Sequence, residues 1–157
     1  MSPVITESTR KKIDEIVTHY KRKEAALLPV LHLVQGEVGF ISAQEEKQVA
    51  EILGIKPIKV REVATFYTMI NRKPVGKYLI QVCSNLSCSL LGGASLLEHL
   101  KNKLGIDVGE TTPDKKFTLT TVECLGACEQ APCMMINFDY FGNLDHEKID
   151  EILDKLG

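Results

Sequence analysis

A small all-helical bundle followed by an α/β domain is the architecture this sequence predicts. Three observations lead to it. Apolar residues recur at helical spacing between residues 7 and 70, whereas beyond residue 77 strand-length apolar runs alternate with helical stretches. Between these regimes, "NRKPVGK" at 71–77 combines proline, glycine and charge without periodicity, the mark of a connection. The reading places a helical portion at 1–72 and an α/β domain at 73–157.

In "STRKKIDEIVTHY", Ile13, Ile16, Val17 and Tyr20 fall at i, i+3, i+4 and i+7, one stripe of an amphipathic helix. A second helix is expected over residues 27–35. Pro29 is tolerable in its first turn, where a missing N–H costs no hydrogen bond, and Gly36 offers a C-terminal stop. "SAQE" at 42–45 has capping-box form, with Ser42 and Glu45 each satisfying the other's backbone amide, and opens a helix that Gly54 ends. Val60, Val63, Ala64 and Tyr67 repeat the stripe, which makes four short helices, enough for a small bundle. In the second half, "KYLIQVC" reads as a strand, "GGASLLEHLKNKLG" as a helix and "KFTLTTVEC" as a strand. "CMMINFD" and "YFGNL" follow as a pair of strands around a turn, and "DHEKIDEILDKLG" closes as a helix. Helices packed on a small sheet satisfy that order.

The bulk composition narrows the function. With 157 residues, 44% hydrophobic and 25% charged, the chain buries a real core without disulfide staples. A formal charge of −2 argues against nucleic acid or an anionic membrane as the main partner. The apolar run "AALLPVLHLV", broken by Pro29 and His32, is too short to span a bilayer. The N-terminus has no apolar segment behind a basic start, so no secretion signal is expected. A cytoplasmic location follows, where thiols stay reduced and clustered cysteines bind metal or do redox chemistry more often than they form bridges.

Cysteine is where the chemistry concentrates. Cys83 ends the first expected strand, with Cys88 across a four-residue loop; Cys124 ends the second strand, with Cys128 beyond a short loop containing Gly126. Parallel strands would bring both pairs to one end of the sheet, the place where open α/β sheets gather ligands. A C-x4-C pair and a C-x3-C pair can each clasp one metal of a binuclear site. Structural zinc favours C-x2-C knuckles, and neither pair has that spacing. A C-x4-C opening instead matches plant-type ferredoxins, whose longer loop wraps an iron–sulfur cluster. Zinc and disulfide pairings stay open on spacing alone.

The run C83-S-N-L-S-C88, the helix after it and "CLGACEQAP" at 124–132 together resemble the thioredoxin-like [2Fe–2S] ferredoxin family. More narrowly, "EVATFYTMI" at 62–70 and "MMINFDYFGNL" at 134–144 resemble its branch in bacterial NADH-quinone oxidoreductase, respiratory complex I. The resemblance implies a thioredoxin-like domain behind the helical portion. It implies one [2Fe–2S] cluster, with Cys83 and Cys88 on one iron and Cys124 and Cys128 on the other. The implied partner is the subunit that holds FMN and oxidises NADH, in a complex peripheral to the membrane through its other subunits. Similar subunits serve soluble NAD-linked hydrogenases and formate dehydrogenases, which is the alternative host. A zinc-stabilised interaction domain without redox chemistry is the alternative of a different class.

Cys133 follows Cys128 by five residues, the same spacing as Cys83 to Cys88, so counting alone does not set it apart. The family pattern requires no cysteine there, and "APCMMI" looks like the start of a buried strand. Cys133 is therefore expected to be a core thiol.

A [2Fe–2S] centre on four thiolates is already anionic, so neighbouring charge sets how readily it takes an electron. No Lys or Arg occurs in residues 78–100 or 117–147, while Glu123 and Glu129 each adjoin an implied ligand. One carboxylate about 8 Å away, at an effective dielectric near 20, lowers a one-electron potential by on the order of 90 mV before screening. A low potential is expected, suited to exchange with a flavin or pyridine nucleotide.

Elsewhere the reading is structural. His19, His32, His99 and His146 share no ligand spacing. Val63, Phe66 and Tyr67 are expected to pack in the bundle or on the ferredoxin domain. "LGG" at 91–93 lies in no nucleotide-loop pattern, and Gly92 and Gly93 instead permit close approach of a helix start to the cysteine loop. The mixed-charge stretch "KKIDEIVTHYKRKE" reads as a solvated helix face. With no nucleophile–base motif, nicotinamide site or flavin signature, the chain by itself is expected to carry electrons rather than turn over NADH.

Overall fold

The computed structural model describes residues 5–156. The chain divides into two compact units, Met1–Pro74 and Val75–Gly157. Among the described residues the first unit contains four α-helices: α1 (Glu7–Thr18), α2 (Leu27–Val38), α3 (Ala43–Leu53) and α4 (Pro57–Phe66). Their buried faces meet in one core that includes Ile13, Val30, Leu31, Val34, Val49, Leu53 and Val60.

Local chemistry sets the helix ends. Thr6 caps α1 by accepting from the Thr9 amide. Its stripe ends earlier than expected: the His19 and Tyr20 amides fold back on the carbonyls of Ile16 and Val17, and Tyr20 is exposed. Pro29 does lie in the first turn of α2, but Gly36 does not stop that helix. It stays helical, and Gly39, at φ 87°, takes the left-handed C-cap. Burial of Val30, Leu31 and Val34 offsets the roughly 1 kcal/mol that an interior glycine costs. The capping box at Ser42 and Glu45 is formed, and Gly54 closes α3 in the left-handed region.

Pro57 begins α4, which buries Val60 and Ala64 and half-buries Val63. Two aromatics depart from expectation. Phe66 is 77% exposed and Tyr67 37%, and their rings meet edge to face at 5.1 Å. The helix stops at Phe66, so Tyr67 is in extended backbone and drops out of the stripe. Phe66 lies off the row defined by Val60, Val63 and Ala64, which leaves its ring in solvent.

The second unit holds β1 (Tyr78–Cys83), α5 (Leu86–Leu90), α6 (Gly93–Leu104), β2 (Phe117–Val122), β3 (Met134–Ile136), β4 (Asp139–Phe141) and α7 (His146–Leu156). The strands form one sheet in the order β2-β1-β3-β4. β1 and β2 are parallel, in register from Tyr78 opposite Phe117 to Cys83 opposite Val122, and α6 lies in the crossover between them. β1 pairs antiparallel with β3, and β3 with β4.

The β3–β4 strands are shorter than the sequence suggests, and their turn is at Asn137–Phe138. Asn137 accepts a positive φ of 55° and fastens the turn to β1: its Oδ1 accepts from the Leu79 amide and its Nδ2 donates to the Lys77 carbonyl. Ile80, Leu119 and Met134 from the sheet meet Leu96 and Leu100 of α6 and Ile149 and Leu153 of α7 in a second core. Among the described residues, no helix is long and apolar enough to cross a membrane.

Candidate metal centre

The parallel register delivers the site. Because Cys83 is opposite Val122, the chain leaves β1 and β2 at the same edge of the sheet. Ser84 locks the two exits together, since its amide and its hydroxyl both donate to the Val122 carbonyl at 3.0 Å. Asn85 then caps α5 through its Oδ1 and the Leu86 amide. Cys88 is consequently in a short helix rather than the loop that the sequence suggests, with its side chain turned inward. Leu86 and Leu90 of the same helix are exposed.

Gly93 is required behind this helix. A Cβ there would meet the Cys88 carbonyl oxygen at 2.8 Å and its carbon at 3.1 Å, which is why α6 can start so close to the cysteine-bearing turn. Gly92, by contrast, is in open space and serves through its positive φ of 96°.

On the other side of the exit, β2 stops at Val122, so Cys124 is in the following loop and not at the strand's end. The Gly126 amide donates to Cys124 Sγ at 3.3 Å. Cys128 opens a single 3-10 turn, Cys128–Gln130. Both Cys124 and Cys128 are exposed. The loop is tied down where it returns to the sheet: the Asn143 amide donates to the Gln130 carbonyl at 2.6 Å and the Leu144 amide to the Pro132 carbonyl at 3.1 Å. Leu125 and Ala127 pack against Cys83, Cys88, Ala131 and Cys133.

All five cysteines are free. Cys83, Cys88 and Cys133 are 3%, 1% and 2% exposed, and their sulfurs lie within 4.8 Å of one another. Cys133 is thus buried, as the sequence suggests, but it is not an isolated core thiol. The antiparallel ladder of β1 and β3 continues one step beyond Val82 and Met134, and the Cys83 amide donates to the Cys133 carbonyl at 3.2 Å. It is the register of that ladder, defined by the folded sheet, that places Cys133 beside Cys83. Cys124 and Cys128 are outside this tight group.

Electrostatics differ from thiol to thiol. Burial pushes the Cys83 thiol up, but the backbone amides of Asn85 and Leu125, with the neighbouring thiols Cys88 and Cys133, outweigh it and hold the group below the usual thiol value. Burial dominates at Cys88 and raises it. At Cys133 burial, reinforced by Cys88, pushes the thiol up to about 12. The Leu125 amide is informative because it belongs to the loop between Cys124 and Cys128. Leu125 also packs against the buried group of Cys83, Cys88 and Cys133, so the loop that carries the second pair lies against the first.

Sequence reasoning missed Leu125 and Asn85 because they act through backbone amides, which no side-chain pattern reports. The donor set suits an iron–sulfur centre. Its ligand candidates are thiols from two loops at one sheet edge, with amides directed at sulfur.

Comparison with known proteins agrees. The model of the thioredoxin-like [2Fe-2S] ferredoxin family matches residues 13–157. A subunit of the NADH-quinone oxidoreductase of Rhizobium meliloti (strain 1021) is 46% identical over 145 residues, covering 92% of this chain and 86% of that protein. The mitochondrial NADH dehydrogenase [ubiquinone] flavoprotein 2 of Dictyostelium discoideum is 43% identical over 154 residues, covering 96% of this chain but 62% of the relative. Among solved structures, an NAD+-reducing [NiFe]-hydrogenase in the air-oxidized state superposes with a TM-score of 0.72 at 26% identity, over 83% of this chain and 22% of the hydrogenase chain. This chain therefore spans about three fifths of the Dictyostelium relative and about a fifth of the hydrogenase chain. On the family match, and on a relative 46% identical of which it covers 86%, the chain belongs to the thioredoxin-like [2Fe-2S] ferredoxin family.

Proposed function

We propose that this chain is the electron-transfer subunit of an NADH:quinone oxidoreductase. It holds one [2Fe–2S] cluster on Cys83, Cys88, Cys124 and Cys128 and exchanges electrons with the subunit that carries FMN and binds NADH. The observation that supports this reading best is the parallel register that brings the exits of β1 and β2 to one edge, where Leu125 of the second cysteine loop packs against the buried group of Cys83, Cys88 and Cys133.

The cluster, when bound, supplies storage for one electron at a time. The protein's part is to present the four sulfurs at one edge of the sheet: the amides of Asn85 and Leu125 lower the Cys83 thiol, and the Gly126 amide donates to Cys124 Sγ. The absence of Lys and Arg from residues 78–100 and 117–147 keeps the potential low. Exposed Leu86, Leu90 and Leu91 give the cysteine-bearing edge an apolar rim for the flavin-carrying partner to cover. Docked in that way, the chain is peripheral to the membrane and on its cytoplasmic side.

Metal analysis with EPR tests the assignment. The purified chain should be red-brown, bleach with dithionite and contain about two irons. Cys124→Ser and Cys128→Ser should each lose the wild-type reduced-state signal, and Cys133→Ala should keep it. A colourless chain with one zinc would refute the proposal in favour of a zinc-stabilised interaction domain. The hydrogenase likeness favours one second reading, the same role in a soluble NAD-linked hydrogenase. Capture of native partners separates the two hosts: membrane-arm subunits identify the first, a nickel–iron subunit the second.

A further inference from the structure

Cys133 is not used by the proposed cluster, yet its sulfur is 3.7 Å from Cys88 Sγ and within 4.8 Å of Cys83 Sγ, with all three side chains buried. A tetrahedral ion bound by thiolates at about 2.3 Å sets its sulfurs about 3.8 Å apart. The Cys88–Cys133 edge already has that length, and the remaining edges need to close by about 1 Å at most, within reach of small side-chain rotations. The three residues come from separate segments: Cys83 ends β1, Cys88 is in α5, and Cys133 faces Cys83 across the ladder. Two of the three are fixed by the pairing of β1 with the chain before β3, and the third by a helix.

We infer that Cys83, Cys88 and Cys133 form a second metal site, one that takes a single thiophilic divalent cation of the zinc class when the [2Fe–2S] centre is absent. Each thiol gives its proton to solvent on binding, and no electron moves. Three thiolates leave one tetrahedral position for water. The site shares Cys83 and Cys88 with the proposed cluster, so the two exclude each other. That exclusion rests on the proposed ligand set, whereas the cation site itself rests only on the three buried sulfurs. Its consequence is competition: zinc-class ions and iron contend for the same two sulfurs during assembly, and a chain that has lost its cluster can be retained by the cation.

The test uses the full chain, freed of iron and kept reduced. Zn2+ gives stoichiometry and affinity, and Co2+ reports the number of thiolates through its sulfur-to-metal absorption. The wild type should bind one ion per chain. The Cys124→Ser/Cys128→Ser double variant should bind as the wild type does. Cys133→Ser should lose about a third of the charge-transfer intensity and bind Zn2+ at least roughly tenfold more weakly. Iron content after reconstitution serves as the folding control for Cys133→Ser, since that variant retains the four proposed cluster ligands.

A measurement without any substitution supplements it: saturating Zn2+ should slow alkylation of Cys133 in the wild type and leave Cys124 unaffected. Unchanged binding in Cys133→Ser, loss of binding in the double variant, or unprotected Cys133 would each overturn the inference. Two irons retained by the double variant would instead overturn the proposed cluster ligands and leave the cation site standing.

Discussion

Gly93→Ala isolates the contact that lets α6 begin against the cysteine-bearing turn. The added methyl would lie 2.8 Å from the Cys88 carbonyl oxygen, 3.1 Å from its carbon and 3.5 Å from the Cys83 carbonyl oxygen. Ordinary carbon contacts begin near 3.5 Å, so α6 or α5 must retreat by about 0.7 Å. The obstacle is backbone, which cannot swing aside as a side chain can. Overpacking of this kind costs about 1–3 kcal/mol. Alanine recovers at most about 1 kcal/mol of helix propensity, and less in a first turn. The balance is a loss of about 1–2 kcal/mol, or about 4–8 °C in melting temperature per kcal/mol for a unit of this size.

Because the displaced atoms belong to Cys88, cluster retention should fall with stability. Gly92→Ala is the comparison: its methyl meets nothing, and only the positive φ of 96° opposes it, at about 1–2 kcal/mol. Thermal unfolding of the iron-free chain, paired with iron per chain after reconstitution, reads both effects. A Gly93→Ala protein that melts with the wild type and keeps its full iron would refute the reasoning. So would a Gly92→Ala protein that loses iron to the same degree.

Two further outcomes follow from charge. Asp150 Oδ1 is 2.8 Å from His99 Nε2 and 3.0 Å from Lys103 Nζ, and the hydrogen bond to His99, then that to Lys103, hold its carboxyl below the usual aspartate value. A lowered carboxyl contributes stability above the ordinary aspartate range and loses it as the pH falls through the lowered value. Asp150→Asn should therefore be slightly less stable than the wild type at pH 7, the two converging at the acid end of a denaturation series; a gap that widens toward acid contradicts the pairing. Glu123→Gln and Glu129→Gln should each raise the midpoint potential by at most tens of millivolts, more at low salt than at high, because both side chains are exposed and screened. An unchanged or lowered midpoint in redox titration would show that these carboxylates do not bias the centre.

Much of this architecture is legible in the sequence because local rules act in concert there. Ser42 and Glu45 form the cap that their spacing announces, Pro29 is in a first turn, and the strand–helix–strand order of the second unit survives intact. The misreadings arise where a periodic pattern outlasts the element that carries it. Tyr20 and Tyr67 continue a stripe on paper, yet the backbone has already left the helix. Gly36 looks like a stop but lacks the left-handed conformation that Gly39 adopts.

At the site, Cys83 was readable because strand ends are readable. The company that Cys133 keeps was not, since it depends on a register between β1 and β3 that only the folded sheet defines. The amides of Asn85 and Leu125 were likewise invisible, being main-chain groups common to every residue.

The crossover through α6 separates the two cysteine-bearing exits by a long stretch of chain before the parallel pairing reunites them. A ribosome adding about 5–20 residues per second needs roughly 2–7 s to pass from Cys88 to Cys124. During that interval the nascent polypeptide owns half a grip. On the proposed ligand set, loading with iron and sulfide waits until β2 has emerged and docked beside β1, and a product truncated before that point leaves the ribosome with two of its four sulfurs missing.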